Sequence, residues 1–156
     1  MSSPGGRHEV DKTHSLTLAS GPILLTEDGV QLKIGLQYMI IKTGKSGRDA
    51  YKVSTRAYTY LFLDIEDRPT MAYHWHPFGL SDFAEPHLHP YSIGGSLPRK
   101  AHYPSSRVSL ESVIRFCIEQ GGAEPKRDNW DAVLALNEGK FLLYRSWADT
   151  SKMPQP

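Results

Sequence analysis

Residues 31–42 read QLKIGLQYMIIK, and their alternation sets the fold class. Leu32, Ile34, Leu36, Tyr38 and Ile40 fall on one side of an extended chain, because successive strand side chains point to opposite faces. Upstream, Ser15–Ala19 alternates in the same way, and Leu24 and Leu25 lead into a turn at Glu27-Asp28-Gly29. Downstream, Thr43–Asp49 contains Gly44 and Gly47 and reads as a hairpin loop. Ala50–Ile65 is rich in β-branched and aromatic residues, which suit a long strand. Glu66–Pro69 is a tight turn and Thr70–His76 the returning strand, so an antiparallel meander is predicted.

Beyond a proline- and glycine-rich stretch from Pro77 to about Arg107, the period changes from 2 to 3.6. Leu110, Val113, Ile114, Cys117 and Ile118 follow a helical template, with Ser109 as N-cap and Gly121 and Gly122 as the stop. A second short helix is predicted over Asn129–Leu136, capped by Asp128, with Trp130, Val133 and Leu134 inward and Gly139 ending it. Phe141–Trp147 reads as a closing strand. The expectation is an α+β fold: a mostly antiparallel β-meander of about five strands with one or two helices packed on one face, since the apolar side of residues 109–120 needs a partner surface.

The chain has 156 residues, 39% hydrophobic and 22% charged, which suits one globular domain with a real core. Residues 14–148 are read as that domain, between flexible tails at 1–13 and 149–156. A net charge of +1 excludes a global field for nucleic acid or membrane, though not a local basic patch. The single cysteine, Cys117, falls on the apolar helix face and reads as a buried structural thiol. No run of about 18 apolar residues predicts a membrane span, and Met1–Gly6 lacks the pattern of a signal peptide, so a cytoplasmic location is expected.

Five of the seven histidines lie between His74 and His102. Two pairs have the form His-x-His: His74-Trp75-His76 and His87-Leu88-His89. On a strand His74 and His76 project together, while Met71, Tyr73 and Trp75 take the apolar side. His87 and His89 form a second pair if that segment is extended too. His8, His14 and His102 read as residues of ordinary structure.

Three readings of the cluster stay open. Histidine titrates near pH 6.5, so one ring can act as base and another as acid on a phosphodiester. In that reading His74, His76, His87 and His89 are catalytic and no cofactor is needed. Arg56, Lys100 and Arg107 would steady the phosphate, and Tyr58 and Tyr60 lie on the neighbouring strand, on the same side as Arg56. Whether that side of the strand is also the histidine side depends on register, which a one-residue slip reverses. The second reading is a metal site, with the same four histidines holding a divalent transition metal such as zinc, and Glu85 or Asp82 available to complete it. A cupin barrel also uses His-x-His, but it follows the pair closely with a glutamate, whereas Glu85 lies nine residues past His76. In the third reading the histidines only pack the loop, and the chain is an interaction module such as an antitoxin or assembly subunit. Tyr73, Trp75, Phe78, Phe83 and Tyr91 would either wall off the loop or stack a base. Thr43–Gly47 lacks the full phosphate-loop glycine pattern and precedes a strand, so it reads as a hairpin tip carrying Lys45 and Arg48.

Tyr58-Thr-Tyr60-Leu-Phe62, then Tyr73-His74-Trp75-His76, Pro86-His87-Leu88-His89 and a helix over residues 109–120, resemble the TumE-like small bacterial toxins. The resemblance covers about residues 50–120, and His87 and His89 match its more characteristic histidine pair. It implies a toxin of a toxin–antitoxin pair, with an antitoxin protein encoded nearby as partner. Joined to the histidine pattern, it favours a nuclease-like hydrolase or transesterase acting on RNA or another phosphodiester.

Overall fold

The alternation of residues 31–42 becomes a twelve-residue strand at the middle of the sheet. The computed structural model describes residues 8–47, 50–79, 83–92, 98 and 101–144. Its elements in chain order are β1 (Thr13–Thr17), β2 (Ile23–Leu24), β3 (Gln31–Lys42), β4 (Tyr51–Leu63), β5 (Pro69–Trp75), β6 (His87–His89), β7 (Tyr103–Pro104), α1 (Leu110–Glu119) and α2 (Trp130–Tyr144). The strands form one sheet in the order β1-β3-β4-β5-β6-β7, with β2 also on β3, and every ladder is antiparallel. The α+β class and the meander are as the sequence predicts. Among the described residues the sheet has seven strands rather than about five: β2 and β7 are too short to show a period, while β6 lies where the sequence allows a short strand near His87–Tyr91.

The register divides the sheet into two unlike faces. Leu36, Tyr58 and Trp75 lie in one row, Ile34, Tyr60 and Tyr73 in the next, and Leu32, Phe62 and Met71 in a third. These rows form the core with Val113 and Cys117 of α1. Tyr58 and Tyr60 stack with ring centroids 4.8 Å apart, and the Tyr58 hydroxyl accepts from the Val108 amide at 3.0 Å, holding the approach to α1. Burial pushes the Cys117 thiol up to about 11, as befits the inert core thiol expected there. The other face carries Thr17, Gly35, Thr59, His74, His87 and Pro104 in a single cross-strand row.

Helix α1 begins as expected: Ser109 Oγ accepts from the Ser112 amide at 2.9 Å. It stops at a glycine in the left-handed region, Gly122 with φ 71°, after which Ala123 donates to the Cys117 carbonyl. Helix α2 packs on α1. Glu138 accepts from Ser109 and Ser112, and Arg115 pairs with Asp131. Here two expectations are corrected. Gly139 lies inside α2 rather than ending it, and Phe141–Tyr144 is helical rather than a strand. Glycine weakens a helix interior by about 1 kcal/mol but does not end it unless the chain turns left-handed there. Gly139 does not make that turn. Arg145, Ser146 and Trp147 lie outside the described residues, as do Arg48, Asp82, Lys100 and the tail segments 1–7 and 149–156. From His8 onward the N-terminal segment is engaged with the sheet: Val10 bridges Ile40, and His8 stacks on Tyr38 and on His14.

Candidate metal centre

The histidine cluster is a product of strand pairing. In the β5–β6 ladder His74 sits directly opposite His87, and Ala72 opposite His89. His87 and His89, two residues apart on β6, therefore share the face of His74. The His74 ring centroid lies 5.7 Å from His87 and 4.7 Å from His89, and those two are 4.8 Å apart. His76 continues the β5 side, 5.1 Å from His74. His102, which the sequence reading set aside, joins them: continuing the β6–β7 register brings it opposite His89, and it lies 4.6 Å from His89 and 4.7 Å from His87. Two-residue β7 shows no alternation, and His102 has no His-x-His partner, so only the pairing could reveal it.

Within this group, one nitrogen from each of His74, His87 and His89 lies within 4.8 Å of the others. Zinc–nitrogen bonds of about 2.0–2.1 Å set tetrahedral ligands roughly 3.3 Å apart, so modest ring rotations close the set. His87 and His89 are buried, at 3% and 7% exposure. The Glu85 carbonyl lies 2.7 Å from His87 Nδ1. It accepts that N–H and leaves the lone pair on Nε2, the orientation a metal ligand needs. Glu85 thus contributes its backbone rather than the carboxylate that the sequence suggested. His89 Nδ1 is buried and has no hydrogen-bond partner among the described residues. A buried polar atom left so is costly, and a metal ion would satisfy it.

The electrostatics agree. Burial, and after it the neighbouring imidazoles His89, His76, His87 and His102, hold His74 down at about 4. Burial is also the main cause that lowers His76, His87 and His89, with carbonyls of Glu85 and Ala101 pulling the last two the other way. Neutral rings are the form that binds metal. Phe83 meets the edge of His87 and stacks on His102, both at 5.0 Å, and Tyr91 stacks on His89 at 5.5 Å.

The residues expected to bind phosphate are placed otherwise. Tyr58 and Tyr60 are in the core on the opposite face, and the Arg107 guanidinium lies over Trp75 on that face at 3.8 Å. Thr59, not Tyr58 or Tyr60, pairs with His74, which answers the register question. Arg56 is the unpaired residue of a bulge, since Gln37 pairs with Ala57 and Tyr38 with Thr55. Its guanidinium lies over Phe78 at 4.6 Å.

Among the described residues, fold and site together define a seven-stranded antiparallel sheet with helices on one face and a partly buried trio of potential metal ligands on the other. No family model, curated protein or solved structure matches the chain. No described helix is long and apolar enough to cross a membrane.

Proposed function

We propose that the protein is a metal-dependent hydrolase whose divalent transition metal, zinc in the first instance, is held by His74, His87 and His89. The observation that carries this reading is the convergent trio, two of its rings buried, with the His87 tautomer set by Glu85 and the His89 nitrogen unsatisfied among the described residues. Three histidines with a remaining position open to water or substrate is a catalytic rather than a closed structural pattern. The ion would supply Lewis acidity; His76 and His102 stand beside the trio as neighbouring imidazoles able to relay protons.

The metal-free phosphodiester mechanism has less support. It needs one imidazolium at working pH, yet His74, His76, His87 and His89 are all shifted toward the neutral form. Of the cations expected to steady a phosphate, Arg107 lies on the other face, Arg56 lies over Phe78, and Lys100 is outside the described residues. Zinc titration followed by calorimetry is the test. One zinc per chain is expected, with affinity falling by at least about 100-fold in His87→Ala or His89→Ala. Absence of stoichiometric metal in the wild type, or equal affinity in both variants, would falsify the reading.

A further inference from the structure

Beside the histidines the same face opens into a shallow hollow of about 190 Å³. Its walls include Ser15, Thr17, Gly35, Gln37, Thr59 and His76. It adjoins the cluster at two points: Thr59 is the cross-strand partner of His74, and His76 lies 5.1 Å from the His74 ring. Directly opposed strand residues bring their Cβ atoms about 4.5–5.5 Å apart, so Thr59 borders the trio itself. A Cβ built on Gly35 would meet nothing within 4 Å, so the floor is open above this residue. Helix α1 packs on the other face with α2 against it, and among the described residues Ser15, Thr17 and Gln37 of this face are exposed.

The hollow mixes apolar and uncharged polar lining, since Leu16, Leu36, Ala57 and Tyr58 stand beside its polar residues. Hydroxyls of Ser15, Thr17 and Thr59 and the amide of Gln37 offer donors and acceptors, and no lining residue carries a carboxylate, ammonium or guanidinium. Among the described lining residues a phosphate would find no cationic side chain, only the proposed ion beside the hollow, whereas an uncharged polar group would find partners on several sides.

We infer that this hollow is the substrate seat of the centre and that it selects uncharged, hydrogen-bonding acyl compounds, esters or amides, over phosphodiesters. This rests on the proposed hydrolase reading and adds its substrate class. For an ester, the oxygen of water bonds to the acyl carbon, the carbon–oxygen bond to the alcohol breaks, and the departing alcohol oxygen takes a proton released by the water.

The probes are 4-nitrophenyl acetate and bis(4-nitrophenyl) phosphate, with the full chain titrated with zinc. The zinc-loaded protein is expected to show kcat/KM at least tenfold higher for the ester. Gly35→Leu should raise KM for the ester at least tenfold and leave zinc affinity and stoichiometry unchanged. Thr59→Val, which preserves shape and removes one hydroxyl, should raise KM in the same direction and guards against misfolding of the leucine variant. Preference for the phosphate, turnover of neither probe by zinc-loaded protein, or an unchanged KM in both variants would overturn the seat. Failure of the metal reading shows separately, as absence of zinc in the titration; ester turnover still sensitive to Gly35→Leu would then leave the seat standing without the ion.

Discussion

His89 shows most sharply the conflict between stability and chemistry. Its ring is buried, and one nitrogen is without a hydrogen bond among the described residues. An unsatisfied buried polar group costs about 1–3 kcal/mol, so His89→Leu is expected to stabilise the metal-free protein in urea denaturation by up to that amount, while abolishing zinc binding. Loss of stability on that substitution would show that the ring is there for packing. His74 carries the pH dependence. It titrates near 6.5 when unfolded and about 4 when folded, so between those values the unfolded chain binds the extra proton. Stability of the chelated protein should therefore be indifferent to this group above pH 6.5 and fall as pH drops toward 4, a trend that His74→Phe should flatten. Equilibrium unfolding at several pH values measures it.

The second helix shows how far local signals carry. Glycine after an apolar run, followed by Phe141-Leu-Leu, looks like a helix stop and a new strand. Packing on α1 overrides that: Glu138, one residue before Gly139, caps the start of α1 through Ser109 and Ser112. Gly139 sits in the helix with open space where a side chain would go. Gly139→Ala should therefore raise stability by about 0.5–1 kcal/mol, seen as a higher melting temperature. A glycine required at a left-handed stop would give a decrease instead. The turn before β3 contains such a glycine. Gly29 has φ 89°, and a Cβ there would lie 2.7 Å from Ile65, so alanine is excluded by conformation and by space.

At the scale of the molecule, one sheet serves two purposes because its faces are chemically unlike. The aromatic rows Tyr58/Trp75 and Tyr60/Tyr73 bind α1, and the rows between them present hydroxyls and imidazoles. The ligand trio joins β5 and β6, so a metal ion there ties two strands together. Zinc at a hundred times its dissociation constant should stabilise the fold by about 2.7 kcal/mol, read as a rise in melting temperature that chelator reverses. No shift on adding zinc would disconnect the cluster from the ion.

Alternation in residues 31–42, the helical spacing from Leu110 to Ile118 and the His-x-His pairs were legible because each is local: side-chain direction follows from backbone period alone. Those patterns determine the α+β class, the Ser109 cap, the buried Cys117 and the shared face of each histidine pair. Tertiary pairing decided the rest. Register put His74 against His87 and Thr59, turned Tyr58 and Tyr60 away from them, and drew in His102 from a strand too short to show a period. Cross-strand neighbours are set by hydrogen-bond ladders between distant segments, and a shift of one residue would have reversed every such assignment. The cluster of five histidines thus became a partly buried trio with two flanking rings and an uncharged hollow beside it, an arrangement that no single segment contains.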